Sequence, residues 1–254
     1  SKAKHSPKFH LKVDTGMTRL GISFDEAYGI IEIIKNQKLN CYGIYSHYAT
    51  ADEGDLQYAE HQLNQFNTLL DYSKKINLTF EFIHFSNSGT VINMPHSSFN
   101  LVRVGMLLYG SFPSDEVPRE LPIRPVMEFR GPVVSLRKVK AGTKVSYGGV
   151  WEAKEDTVIG VVQTGFADGF PREWYLNGFI SFKGSKYSIA GRVCMDQFMI
   201  DFGGADIQVG DEVLIFGQNN LDKILVDDIA KDIGSTSYVL LTGIKGRTER
   251  KYVN

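Results

Sequence analysis

The sequence predicts an α/β unit followed by a mostly antiparallel β domain. Three observations carry that reading. Up to Gly110, short apolar stretches alternate with stretches of helical period, the order of a parallel α/β barrel or a doubly wound sheet. Each predicted strand of this part runs into polar residues at its carboxyl end, where barrels carry their sites. After Gly110 the texture changes: Pro113, Pro118, Pro122 and Pro125 mark a linker, and the segments beyond are short, β-branched and separated by Gly and Asp turns.

Phe9, Leu11 and Val13 alternate with His10 and Lys12, so 9–13 reads as a strand. It breaks at Asp14-Thr15-Gly16, a turn composition, with Arg19 just beyond. Ser23 with Glu26 forms a capping box, and Phe24, Ala27, Ile30, Ile31 and Ile34 recur at helical spacing, predicting a helix over 23–36. Residues 41–47 make a mostly apolar strand that ends in His47. Leu56, Ala59, Leu63, Phe66, Leu69 and Leu70 give the buried stripe of a helix over 55–74. A strand over 80–85 leads into Ser86-Asn87-Ser88. Pro95 interrupts the next, helical segment, and 101–104 is the last strand of this half. Four strands cannot close an eight-stranded barrel. Past the linker, strands are expected over 131–139, 157–163, 179–183, 199–202 and 212–216, and helices over 226–233 and 235–241. The domains divide as 1–124 and 125–254.

The composition excludes several classes of protein. Hydrophobic residues make up 43% of the chain, enough for a sizeable core. The 28 basic and 29 acidic side chains leave a net charge of -1, so no basic field for nucleic acid or anionic lipid is present. Cys41 and Cys194 form no disulfide framework and point to a reducing, cytoplasmic compartment. No run approaches the roughly 18 apolar residues of a membrane helix, and the first residues lack the apolar segment of a secretory signal.

Several residues invite a chemical reading, each with a plainer one beside it. Lys12 and Arg19 are two surface cations flanking a turn, or two cations aimed into one site. Arg103 interrupts the apolar run Leu101-Val102-Arg103-Val104, and a lone Arg there is rarely buried without a partner; it is a mouth salt bridge or a ligand-facing group. His47 is a satisfied core histidine or a catalytic one. Asn87-Ser88-Gly89 is a turn or a phosphate cradle, small residues letting N–H groups approach an anion. Tyr147, at a strand-to-turn transition, reads on its own as an ordinary tyrosine of a β domain.

Taken together, these segments decide between the readings. Lys12 to Gly21 resembles the alanine racemase family, enzymes of fold-type III that use pyridoxal 5'-phosphate. So do Ser46-His47-Tyr48-Ala49-Thr50-Ala51-Asp52, Asn87-Ser88-Gly89, Val102-Arg103-Val104-Gly105, Val145-Ser146-Tyr147-Gly148 and Gly191-Arg192-Val193-Cys194-Met195-Asp196-Gln197. The six follow the family's order across nearly the whole chain.

The resemblance implies the C-terminal half of a (β/α)8 TIM-like barrel over 1–124, cofactor-binding, and a C-terminal β domain over 125–254. It makes Tyr147, His47, Arg103 and Arg19 catalytic, with Tyr147 supplied across a homodimer interface. Arg103 faces the cofactor's pyridine nitrogen, and being always charged it leaves that nitrogen unprotonated. Ser88, Gly105, Met106, Tyr238, His47 and Asn87 join Arg103 in holding the cofactor. Arg19, Met195 and Tyr147 meet the amino-acid substrate, Asp196 supports the Met195 loop, and Arg172 and Arg192 surround the entrance. Lys12 matches a lysine that is often carbamylated. No metal is implied. Phe166 stands where a tyrosine is common near the entrance, and Val150 replaces a commoner threonine after Tyr147.

The function implied is interconversion of L- and D-alanine by two-base chemistry for peptidoglycan synthesis. The alternatives are a serine or broad-specificity racemase, and a non-catalytic cofactor-binding or dimerisation fragment. The last follows from an expectation about the chain's start. The family's cofactor lysine belongs to an Ala-Val-Lys-Ala-Asn-Ala-Tyr-Gly type of segment that does not occur here. The chain is therefore expected to be an inactive form lacking roughly the first third of the family's length.

Overall fold

Leu11 and Val13 are buried while His10 and Lys12 alternate with them, so the first strand lays one face on a core. The computed structural model describes residues 7–253. Strand β1 (Phe9–Asp14) is followed by β2 (Ile22–Ser23), α1 (Phe24–Asn36), β3 (Cys41–Tyr45), α2 (Gln57–Lys75), β4 (Phe82–His84) and the short helix α3 (Ser88–Asn93). The strands form one sheet in the order β2-β1-β3-β4, and every pair is parallel.

The capping box forms as read. Ser23 Oγ accepts the Glu26 N–H, and the Glu26 carboxylate accepts the Ser23 N–H. Helix α1 buries Ala27, Ile31 and Ile34; α2 buries Ala59, Leu63, Phe66, Leu69 and Leu70. These side chains join Leu11, Val13 and Ile44 in one core, each large one contributing about 1.5–3 kcal/mol by leaving water. Within it Phe85 stacks on Tyr48, ring centroids 3.7 Å apart.

Register decides where the polar residues go. Lys12 pairs with Tyr45, Tyr45 with His84, and His84 bridges to Leu101. These four lie in one row near the carboxyl ends of the strands, and His47, Ser88 and Arg103 follow just beyond. The expected strand over 101–104 is not formed. It is reduced to the bridge at Leu101 and one bond from the Arg103 N–H to Ser86 O. Just before the bridge, the Asn100 side chain accepts the Ile83 N–H and donates to Glu81 O, a side-chain link to β4 in place of ladder bonds.

The second unit contains β5 (Phe129–Val139), β6 (Lys144–Val145), β7 (Trp151–Glu152), β8 (Thr157–Val162), β9 (Phe179–Phe182), β10 (Ser185–Ser188), β11 (Phe198–Asp201), β12 (Glu212–Gln218), β13 (Lys223–Ile224), α4 (Val226–Asp232) and α5 (Ser237–Gly243). The main sheet runs β10-β9-β12-β5-β8-β11, with β13 on β12, and its pairs are antiparallel. β6 and β7 form a separate hairpin. Phe170, Trp174, Phe198 and Phe202 are buried in the core of this unit. The strands missing from the sequence reading, β2, β6, β7, β10 and β13, have two to four residues, too few for a period to show. Of the two compact units, the first runs to Leu108 and includes Phe112–Leu121; the second includes Tyr109–Ser111 and continues from Pro122.

Candidate active site

The row of strand ends gathers cations. Arg103 is held by four acceptors: His84 Nδ1 at 2.6 Å, Ser46 O at 2.8 Å, His47 Nδ1 at 3.1 Å and Phe85 O at 3.2 Å. None of these partners is a carboxylate, so among the described residues Arg103 forms no mouth salt bridge. Tyr45 serves as a platform. Its ring stacks on His84 with centroids 4.6 Å apart, and carries Arg103 Cζ at 5.3 Å and Lys12 Nζ at 5.9 Å.

The electrostatics follow from this crowding. Burial, then the charges of Arg103, Arg19 and Lys12, hold the His47 imidazole down at about 4. Burial, then Arg103, with a further contribution from His10, holds His84 at about 4. Burial and Arg19 lower the Lys12 ammonium, with Asp14 opposing them. Burial works against ionisation of Asp14, but the N–H groups of Thr18, Gly16 and Met17, together with Lys12, hold its carboxyl below the usual range. Asp14 Oδ1 accepts from Gly16 N and Thr18 N, which shapes the turn leading to Arg19. Tyr58 Oη donates to Gly16 O and closes over it.

Ser88 is buried at the start of α3. Its Oγ accepts the Gly105 N–H at 3.0 Å, which leaves the hydroxyl proton to donate elsewhere. A side chain at Gly105 would meet nothing within 4 Å, so open space lies beside that backbone. Met106 opens a 3-10 turn, whose first N–H has no partner within the turn. Asn87 has a structural role, its Oδ1 capping α3 by accepting the Thr90 N–H at 3.0 Å. Strand ends rich in cations, a buried hydroxyl and open backbone suit an anionic ligand.

Tyr147, Met195, Tyr238, Arg172, Arg192, Asp196, Phe166 and Val150 belong to the second unit. Tyr147 is 70% exposed and Met195 62% exposed. Tyr147 opens a 3-10 turn behind Ser146, whose φ is +68°, and Ser146 Oγ donates to Arg192 O at 2.7 Å, tying two predicted motifs together. The Met195 loop is pinned from below: its carbonyl accepts the Ala167 N–H, and a Cβ at Gly165 would lie 2.3 Å from that carbonyl oxygen. Asp196 offers its backbone carbonyl to Arg247 at 3.3 Å. Arg247 also grips the buried Asp168 through two bonds of 2.7 and 2.9 Å.

Two residues escaped the sequence reading. His84 is the closest partner of Arg103, and the signal for it was a histidine at the end of a predicted strand, as at His47. Gln62 is fully buried. Its Oε1 accepts the Ala49 N–H at 2.9 Å, and its Nε2 donates to His47 O at 3.2 Å. It thereby fixes the backbone on both sides of Tyr48.

Known proteins resemble this chain along nearly its whole length. The family model "Alanine racemase, N-terminal domain" matches residues 1–113, and "Alanine racemase, C-terminal domain" matches 126–252. The alanine racemase of Carboxydothermus hydrogenoformans is 37% identical over 247 residues, covering 96% of this chain and 67% of that one. The crystal structure of alanine racemase from Streptomyces lavendulae superposes with a TM-score of 0.88 at 32% identity, covering 98% of this chain and 67% of that one. Another, from Bartonella henselae with covalently bound pyridoxal phosphate, superposes at 0.84 with 26% identity, covering 98% and 67%. The chain spans about two thirds of the length of the curated relatives it matches. These matches correct one expectation, that the chain lacks the family's lysine-bearing N-terminal part and is therefore inactive. The N-terminal domain is represented over 1–113, and the absence of one short segment was too narrow a ground for the inference. With both domains matched in order, and relatives more than one-third identical along nearly its whole length, the chain belongs to the alanine racemase family.

Proposed function

We propose that the whole protein is a racemase interconverting L- and D-alanine with pyridoxal 5'-phosphate, in the cytoplasm and in support of peptidoglycan synthesis. The single observation that carries this is Arg103: a guanidinium fixed by four neutral acceptors at the strand ends, with no carboxylate partner. The parallel strands are read as part of a (β/α)8 barrel that binds the cofactor within 1–124, and 125–254 as the C-terminal β domain.

When bound, the cofactor withdraws electrons from the substrate's Cα and makes its proton removable. Arg103 would hold the pyridine nitrogen without giving it a proton. Ser88, with the backbone of Gly105 and Met106, and Tyr238 would hold the phosphate, while Asn87 fixes the helix behind them. Arg19 would bind on the phenolic side. Its neighbour Lys12 has a lowered ammonium pKa, which raises the share of free amine open to carbamylation. Tyr147 is read as the group that moves the α-proton on one face of the substrate. His47 would donate its Nε2–H to the tyrosine oxygen, and the Met195 N–H would meet the substrate carboxylate. Because Tyr147 and Met195 stand out from the second unit, a homodimer with shared sites is the reading adopted.

The test uses the full-length protein loaded with pyridoxal 5'-phosphate and offered L-alanine, with D-alanine measured by chiral chromatography. Racemisation is expected, slowed at least about tenfold in Arg103→Glu, with pyruvate from transamination rising as the ring nitrogen becomes protonated. A folded, loaded protein that forms no D-alanine refutes the proposal. Faster turnover of L-serine than of L-alanine moves it to the serine racemase alternative.

A further inference from the structure

The hydrogen bonds around Arg103 have a direction. A guanidinium only donates, so His84 Nδ1 and His47 Nδ1 both accept from it. A neutral imidazole that accepts at Nδ1 carries its proton at Nε2. His84 Nε2 lies 2.8 Å from Nδ1 of His10, so His84 donates and His10 accepts. The donor line thus runs Arg103 to His84 to His10, crossing three strands.

The sheet is built to let His10 reach. His10 is on β1 and His84 on β4, with β3 between them. The residue of β3 opposite His10 is Gly43. A Cβ there would lie 2.7 Å from His10 Nδ1, so any side chain at 43 would fill the space in which the His10 ring crosses. The ring is also stacked on Phe82, centroids 5.9 Å apart and planes 17° off parallel. Phe82 pairs with Gly43 on the other side, and so supports the ring on β4.

We propose that His10 is a positioning residue for Arg103: its bare Nδ1 receives the His84 Nε2–H and fixes the imidazole that orients the guanidinium. The functional consequence rests on the reading of Arg103 given above. Without His10, the nearly buried His84 N–H loses its acceptor, and the ring relieves that cost by turning away from Arg103.

The test is 15N NMR of the full-length protein labelled at histidine, at pH 7.5, with ring nitrogens assigned by His84→Gln and His47→Gln. His84 should show a single Nε2–H tautomer. In His10→Asn, where Oδ1 stands in for Nδ1, that tautomer should persist and kcat should stay within about threefold. In His10→Phe, which keeps the stacking but removes the acceptor, His84 should become a tautomer mixture. There kcat should fall about tenfold with KM little changed, since Arg103 does not touch the substrate side chain. An Nδ1–H tautomer of His84 in the unmodified protein overturns the proposal, as does a folded His10→Phe protein with unchanged ring signals. If His10→Phe does not fold, the unmodified protein and His10→Asn decide alone. Correct tautomers without racemisation refute the proposed function and support the positioning. Racemisation with the wrong tautomer supports the function and refutes the positioning.

Discussion

Replacing Gln62 by leucine should destabilise the first unit well beyond what its change in volume suggests. The side chain is fully buried, and leucine is close to it in size. What leucine cannot do is accept the Ala49 N–H or donate to His47 O. Each buried polar group left bare costs about 1–3 kcal/mol; Ala49 and His47 are only partly buried, so the lower half of that range applies to each. Leucine's own transfer from water offsets about 1 kcal/mol. The net loss is about 2 kcal/mol. Gln62→Glu separates hydrogen bonding from shape. It keeps an acceptor for Ala49 but, once ionised, has no donor for His47 O. Burial raises such a carboxyl above its unfolded value of about 4.3. The protonated form is therefore favoured in the folded protein, and stability is lost as pH rises from about 4.3 through the folded pKa. Urea unfolding of the full-length protein, followed by far-UV circular dichroism at several pH values, reads both effects. A Gln62→Leu protein within about 0.5 kcal/mol of the original would refute the reasoning, and so would a Gln62→Glu protein with no dependence on pH.

Three further outcomes are expected. His47 and His84 stay neutral in the folded protein down to about 4, while the unfolded chain protonates them near about 6.5. The unfolded state thus binds more protons between those values, and stability falls as pH drops through that window, by about 2 kcal/mol for the well-buried His84 and less for His47; an unchanged urea midpoint between pH 7 and 4.5 would count against it. Arg247→Ala strands the Asp168 carboxylate, which is 5% exposed in its side chain, and should lower the urea midpoint. Because Arg247 also holds the carbonyl of Asp196, the KM for alanine should rise more than kcat falls; a change in neither stability nor KM refutes this. If sites are shared between subunits, mixing Tyr147→Phe with Arg103→Glu should restore up to about a quarter of full activity, since half the dimers are mixed and each has one intact site. No recovery despite demonstrated subunit exchange argues for sites within one subunit.

What the sequence made legible was local. Ser23 and Glu26 lie three residues apart, and the capping box they announce depends on nothing farther away. The stripes of α1 and α2 were equally readable, since a helix's period is written along it. The site was legible only as a set of strand ends. Its geometry depends on register, which pairs Lys12 with Tyr45 and Tyr45 with His84 across more than thirty residues each time, and no local pattern states such a pairing. The run at 101–104 misled because apolar side chains describe burial and do not state which backbone groups pair; only Leu101 and the Arg103 N–H find partners on the neighbouring segment. Asn87 was legible only as part of a turn or a phosphate cradle; that its side chain also caps α3 was not foreseen.

His10 shows where that boundary falls. On β1 it is a polar residue alternating with apolar ones, the least informative position a strand offers. Its meaning comes from Gly43 opposite and from His84 one strand farther on. A glycine in a strand interior weakens the strand, and at Gly43 two neighbours account for it: a Cβ would lie 2.7 Å from the His10 ring and 2.7 Å from Phe82 O. The gap at Gly43 on one strand is filled in part by a ring from another. Gly43→Ala tests that logic. It should favour the isolated strand yet displace the His10 ring, so His84 should lose its single tautomer although His10 itself is untouched. A folded Gly43→Ala protein that keeps the His84 tautomer would show that the ring needs no such gap, and that the glycine has another cause.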